Sequence, residues 1–194
     1  SFEGQDMISS SILRQIKKGT YIDIGSNHPI KNNDTYYFYK NGWEGIIIEP
    51  NKKFKSLYKK YRPKDCLHNF LIGIKKNYKF FFFKDNTLST SDIKTIKRYK
   101  KKNKITKIQQ LSSRKLNDVL FDYQKRKKKK IKINLLKIDV EGSEFEILKS
   151  LDLKKYCPDL IQIELKNLNL NNLKNKINSY LFQKNYRLVC KTLL

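Results

Sequence analysis

Four short apolar runs, at residues 21–24, 45–49, 133–138 and 159–164, each finish at or beside a carboxylate, and segments of helical periodicity separate them. Runs that are apolar at nearly every position suit strands covered on both faces, the usual condition of a parallel sheet. Strand–helix alternation along the chain therefore predicts an α/β fold with a mostly parallel sheet. Right-handed crossovers would place helices on both of its faces. With 194 residues and no internal repeat or linker, one domain over 1–194 is expected, an N-terminal helix (1–19) leading into a core (20–194).

The segments between the runs fill in the pattern. Met7, Ile8, Ile12 and Ile16 predict a helix over 1–18, stopped by Gly19. A short helix over 34–41 is expected, with Tyr36, Tyr39 and Trp43 on one side. Phe54, Leu57, Tyr58 and Tyr61 mark the buried face of a helix that Asn51 caps and Pro63 ends. Residues 65–72 read as a third strand, and 78–83 as an added strand near the sheet edge. A polar loop, 85–92, leads to a lysine-rich helical segment. A short strand at 105–111 and a helix at 116–124 come next. Ser143 and Glu146 have the form of a capping box. Leu170, Leu173, Ile177, Tyr180 and Leu181 mark an amphipathic helix, and 186–192 alternate like a final strand.

The chemical signal is the position of the acids. Asp23, Glu49, Asp139 and Glu164 all fall at the C-terminal ends of strands, the edge where open α/β sheets bind ligands. An acid there is often only the next helix's cap; four together favour a site. Glu49 lies 24 residues past Gly25, where an acid accepts hydrogen bonds from the hydroxyls of an adenosyl ribose. The first turn, Gly25-Ser26-Asn27, lacks the glycine pattern of a pyrophosphate cradle. An adenosyl cofactor without phosphate, S-adenosylmethionine, fits better. Its amino-acid end would lie over residues 23–27, with Gly25 admitting close backbone approach. The cofactor-binding candidates are thus Asp23, Gly25, Ser26, Asn27, Glu49, Pro50 and Asp139.

Several blocks carry a resemblance. They are Gly4-Gln5-Asp6, residues 21–27, residues 33–45, Ile48-Glu49-Pro50-Asn51, Leu88-Ser89-Thr90, residues 137–144 with Asp139-Val140-Glu141-Gly142, and residues 161–164. In this order and spacing the chain resembles the FkbM family of S-adenosylmethionine-dependent methyltransferases along almost its whole length. Two departures are visible: Asn33-Asp34-Thr35 replaces the more usual Ser-Asn-Thr, and the last strand is shortened or missing. The resemblance implies a class I Rossmann-like three-layer sandwich. It also implies O-methylation of a sugar, glycan or small hydroxylated metabolite.

Methyl transfer is an in-line displacement, so positioning supplies much of the acceleration, and a general base helps a hydroxyl acceptor. Asp139 and Glu141 are the candidate catalytic residues. His28, Ser89, Thr90, Glu144 and Glu164 are candidates for acceptor contacts, although Glu144 could instead cap its helix. Residues 87–92 would form a polar lid or an ordinary loop, and His68 is structural. Paired acids can bind a divalent cation, but two histidines at no ligand spacing give a metal no support.

The net charge of +25 raises the alternatives of an RNA methyltransferase or a basic polyanion-binding module without catalysis. Only six of the 43 basic residues are arginine, the side chain that forks onto phosphates and guanine edges. The wealth of lysine, asparagine, isoleucine and tyrosine is what A/T-rich codon usage produces. Non-specific polyanion binding is expected either way. The basic run 125–130 precedes its strand and belongs at the sheet edge opposite the ligand crevice. Three widely spaced cysteines suit neither a disulfide framework nor a zinc ribbon, and point to a reducing cytoplasm. No run is long enough to span a bilayer. No signal peptide is visible, and a start at Ser1 leaves room for an upstream segment.

Overall fold

A computed structural model describes residues 3–165 and 170–192. The chain runs α1 (Gln5–Ile12), β1 (Thr20–Ile24), α2 (Asp34–Lys40) and β2 (Glu44–Ile48). A 3-10 turn, Lys52–Phe54, leads into α3 (Lys55–Tyr61). Then come β3 (Cys66–His68), β4 (Leu71–Ile72), β5 (Asn77–Phe83), α4 (Ile93–Tyr99) and β6 (Ile105–Arg114). The last part is α5 (Leu116–Lys127), β7 (Leu135–Ile138), α6 (Glu144–Lys149), α7 (Leu153–Tyr156), β8 (Leu160–Ile163) and α8 (Leu170–Phe182). Five strands pair in the order β3-β2-β1-β7-β8, every pair parallel. This is the parallel, helix-flanked sheet of a Rossmann-like fold.

Because side chains alternate across a strand, each central strand serves two cores. Ile22, Ile24, Ile46, Ile48, Leu136 and Ile138 pack with Leu116, Val119 and Leu120 of α5 and with Ile147 and Leu148 of α6. The alternate positions, Tyr21, Ile47 and Leu135, pack with Leu13, Phe38, Trp43, Phe54 and Tyr58. That second face is not wholly apolar. Asp23, Lys137 and Gln162 stand side by side across β1, β7 and β8, paired in register. Gln162 donates to Asp34 at the start of α2 (2.6 Å) and accepts from Ser9 of α1 (2.9 Å). This polar row orients α1: Ser9 is its buried residue, whereas Met7 and Ile12 are exposed. The helix is accordingly shorter than the 1–18 expected; its first two residues lie outside the described ones.

Other expectations are corrected. The third strand does not continue to residue 72. Asn69 donates its side-chain amide to the Glu49 carbonyl (2.8 Å), the β3 ladder ends at His68, and the chain peels away into β4. β4 pairs with β6, and β6 with β5, in a separate three-stranded sheet, so residues 78–83 are not an edge strand of the main sheet. Phe38, rather than Tyr36, joins Tyr39 and Trp43 in the core. Ser143 makes no side-chain cap. Residues 186–192 form no strand, and Leu188 and Val189 are exposed. In α8, Ile177 is buried; the side chains of Leu170 and Leu173 lie outside the described residues.

A second polar knot sits beneath α2 and α3. The Arg62 guanidinium, 1% exposed, donates to Asp65 (2.6 Å), Asn33 (2.8 Å), Thr35 (2.9 Å) and the Tyr21 hydroxyl (2.9 Å). Asp65 also accepts from Tyr21 and from the Gly45 amide. The pair thus ties the end of α3 to β1, α2 and β2. Removing one partner would leave the other as an uncompensated buried charge. Arg62→Met should therefore lower the unfolding free energy of the chain by about 3–5 kcal/mol in urea titration. A loss under about 1 kcal/mol, the value of an exposed pair, would refute this role.

Candidate functional site

The strand order reverses between β1 and β7, and a cavity of about 420 Å³ opens beyond the C-terminal ends of β1, β2, β7 and β8. That is the crevice in which open α/β sheets hold ligands, and its size is ordinary for a small-molecule site. Main-chain bonds stitch its floor together. Gly25 donates to Ile48, Asp139 to Ile24, Glu49 to His68, and Glu164 to Ile138.

Gly25, Ser26, Asn27 and His28 form one wall. Gly25 has φ +82°, and a Cβ there would stand 1.7 Å from the Asp139 carbonyl oxygen. Glycine is therefore required by the close approach of the chain after β7, not by that of a ligand. The turn is braced from below. Ser26 donates to Asp23 (2.7 Å), Thr35 donates to the same oxygen (2.6 Å), and Asn33 donates to the carbonyls of Ser26 and His28. This gives the Asn33-Asp34-Thr35 segment its purpose: two residues clamp the turn, and Asp34 joins the polar row. Asp23, expected on the cavity wall, is fully buried and does not line it.

Glu49 lies at the cavity with only 6% of its surface exposed. One carboxylate oxygen accepts from the Asn27 amide (2.7 Å) and the other from the Asn51 amide (2.7 Å). Each oxygen keeps a further lone pair. Burial raises the carboxyl to about 7, although those two amides pull it down. Beside it stand Pro50, Phe54 and Phe70, with Ile72 and Phe80 from the second sheet. One end of the cavity is thus apolar around a single acid.

The other end is acidic. Asp139, Glu141, Glu146 and Glu164 line it, with Lys137 below. The Lys137 ammonium lies 3.1 Å from Asp139 and 4.0 Å from both Asp23 and Asp34. Burial opposes its charge, but Asp139, Asp23, Asp34 and Glu164 together outweigh that and raise its pKa. It is a fixed cation. Sequence reasoning passed over it; the signal was a lysine inside an otherwise apolar central strand.

Residues 85–91 close the top, with Asp85, Asn86, Thr87, Ser89 and Ser91 facing the cavity. This segment is fastened to the turn after β7. The Thr90 hydroxyl donates to the Glu141 carbonyl (2.8 Å), Tyr99 donates to the Glu141 carboxylate (2.8 Å), and Gly142 packs on Asp92 and Thr95. Glu141 has φ +58°, uncommon for a residue with a side chain. Ser89 therefore faces the cavity, whereas Thr90 is buried and engaged with the main chain. Glu144 is also off the wall: 3% exposed, it accepts from the Gly142 amide (2.8 Å), and burial raises it to about 7. Glu146, expected in a capping box, accepts instead from the Tyr78 hydroxyl of the second sheet.

His28 lines the cavity, and its Nδ1 accepts from the amides of Ile30 (3.1 Å) and Lys31 (3.0 Å). Its proton therefore sits on Nε2. Burial, then Lys31 and Lys53, lower its pKa. The ring offers a donor and cannot serve as a base. Among the described residues no three or more His, Cys, Asp or Glu side chains gather as a metal site.

No curated protein and no solved structure matches the chain. The family model of the methyltransferase FkbM domain matches it over residues 23–188, from the buried aspartate of β1 past the end of α8. With that span covering the sheet, the cavity and every acid around it, the chain belongs to the FkbM family of methyltransferases.

Proposed function

We propose that this methyltransferase depends on S-adenosylmethionine and methylates a hydroxyl of a sugar, glycan or small hydroxylated metabolite. The observation that carries the reading is Glu49: a buried carboxylate at the end of β2, braced by two amides, with lone pairs left toward an apolar recess. That set of groups suits a ribose with its base against Pro50, Phe70 and Ile72. The acidic far end, with Asp139 and Glu164, suits a ligand carrying a sulfonium and an α-amine. Residues 25–27 would hold the amino-acid end through their backbone, with Asp23 acting from beneath through Ser26. One domain over 1–194 would contain the whole site. Three free cysteines, two of them exposed, suit a reducing cytoplasm. Among the described residues no helix is long and apolar enough to cross a membrane.

When bound, the cofactor supplies an electrophilic methyl group. The chain's own part is to position the acceptor and take up its proton. Asp139 is the better placed of the two candidate bases: its side chain is 20% accessible, and Lys137 orients it through a 3.1 Å hydrogen bond. Glu141 is engaged by Tyr99 and acts chiefly as the clasp of the covering segment. His28 and Ser89 are left as polar contacts for the acceptor. The readings as RNA methyltransferase or non-catalytic basic module draw on the net charge, but the basic run 125–130 lies in the exposed stretch before β7, away from the cavity.

Glu49 gives the reading a pH signature. Its carboxyl stands at about 7, and hydroxyl donors favour the ionised form, so ligand affinity should rise with pH. Calorimetry with S-adenosylhomocysteine should show about a tenfold gain between about pH 6 and pH 8. Glu49→Gln should weaken binding and flatten that profile. No binding to the folded wild type would sink the proposal. Asp139→Asn should reduce turnover by about 10²–10⁴-fold, a loss that exceeds whatever S-adenosylhomocysteine affinity is lost with the carboxylate's charge. Turnover would be measured on whichever acceptor a screen with labelled cofactor identifies; RNA alone as acceptor would favour the alternative.

A further inference from the structure

The two edges of the main sheet carry opposite charge. Acids gather at the C-terminal edge, where Glu49, Asp139, Glu141 and Glu164 line the cavity. At the N-terminal edge, Lys17 and Lys18 lead into β1, and residues 59–64 hold three lysines ahead of β3. Residues 125–132 hold seven cations ahead of β7, and Lys154 and Lys155 come before β8. All fourteen are exposed. The ladder sets them along one line: the Asn134 amide donates to the Thr20 carbonyl and the Leu160 amide to the Asn134 carbonyl, so these strands begin side by side. Among the described residues, Glu44 and Asp159 are the exposed acids beside those strand starts, and Lys132 pairs with Asp159. Between the ends of α3 and α5 a depression of about 410 Å³ is lined by Lys64, Asp65, Cys66, Tyr123, Arg126 and Lys127, and its one acid is already bonded to Arg62. A lysine or two at a helix C-terminus answers the helix dipole, but residues 129–132 lie beyond the end of α5 and are not explained that way.

The same edge carries apolar side chains that no other part of the chain covers. α8 follows β8 and returns to that edge. There the Tyr186 hydroxyl donates to the Pro158 carbonyl (2.8 Å), which ties the segment after the helix beside the start of β8. Phe182, Leu188 and Val189 are 70%, 67% and 67% exposed, more than any other large apolar side chain among the described residues. Cations interspersed with exposed apolar groups match an anionic bilayer: phosphate headgroups answer the lysines, and the apolar groups enter the acyl boundary. We infer that the N-terminal edge of the sheet is a docking surface for an anionic lipid bilayer, so that the cavity, on the opposite edge, faces water. Opposite charge at the two edges also orients the chain as it approaches a negative plane. The docking is independent of which acceptor receives the methyl group. The edge is poorly made for nucleic acid. Thirteen of its fourteen cations are lysine, so guanidinium forks are scarce, and Leu188 and Val189 give a base no ring to stack on.

The test is cosedimentation of the full chain with vesicles at near-physiological salt, one set of phosphatidylcholine alone and one of phosphatidylcholine mixed equally with phosphatidylglycerol. Wild type should pellet with the mixed vesicles only, and be released as salt is raised. K127E/K128E/K129E/K130E, before β7, should bind the mixed vesicles about tenfold or more weakly. K94E/K97E/K101E/K102E changes the net charge equally, but in and after α4 beside the covering segment, and should stay within about twofold of wild type. L188S/V189S leaves the charge alone and should bind about fivefold more weakly. Circular dichroism reports whether each variant is folded. Should the first not fold, K154E/K155E is set against K94E/K97E and should lose about fivefold where the latter loses little. The inference is overturned if wild type stays in solution with the mixed vesicles, or pellets equally with phosphatidylcholine alone. It is overturned too if variants of equal charge lose equally, or if L188S/V189S binds like wild type. Single-stranded RNA of equal charge that binds more tightly than the mixed vesicles, with the same dependence on residues 127–130, would overturn it in favour of nucleic acid.

Discussion

A lysine ammonium buried in the middle of a parallel sheet is costly unless anions surround it. Here Lys137 has them: Asp139 at 3.1 Å, Asp23 and Asp34 at 4.0 Å, and Glu164 contributing at longer range. Much of the architecture follows from meeting that demand. Asp23 must lie beside it on β1 and Gln162 on β8, which fixes the register of the three strands. Asp34 must begin α2 above it, and Gln162 then recruits Ser9 from α1. The same carboxylates brace the turn at residues 25–27 and supply Asp139 to the cavity. Structure and candidate chemistry share one set of charges, so neither can be altered alone.

The elements built on strong periodicity were legible. The apolar runs became β1, β2, β7 and β8, because strands covered on both faces are largely apolar, with the row of Asp23, Lys137 and Gln162 as the exception. Three of the acids at their ends, Glu49, Asp139 and Glu164, converge on one cavity because parallel strands all point their C-termini the same way, whereas Asp23 is buried beneath it. What stayed hidden depended on groups far apart in sequence. Nothing local to residues 65–72 says that Asn69 will turn back to the Glu49 carbonyl and split one apparent strand between two sheets. Ser143 and Glu146 have the spacing of a capping box, yet Tyr78, 68 residues away, takes Glu146. Tyr186 to Thr192 alternates well, but an alternating stretch forms a strand only beside a partner, and it has none among the described residues.

At the site the distinction is between residues that face the cavity and residues that hold those. Both kinds sit in the same motifs, so a motif cannot separate them. Asp23, Thr90 and Glu144 belong to the second kind: one braces Ser26, one holds the Glu141 carbonyl, one ties down Gly142. Gly25 makes the point most sharply. A glycine after a strand suggests that a ligand comes close, but the space a Cβ would take is already filled by the carbonyl of Asp139. The constraint on that residue is the joining of β1 to β7.

This joining bears on how the cavity is covered. Residues 85–91 and the start of α4 are held through Glu141, whose carbonyl accepts from Thr90 and whose carboxylate accepts from Tyr99, with its backbone in the left-handed region. Glu141 in turn follows Asp139 by two residues, and Asp139 packs on Gly25. A displacement of the covering segment is therefore transmitted along a short, stiff path to the acid beside the cavity and to the turn that faces it. Glu141 is the point at which the covering segment is joined to the acid beside the cavity.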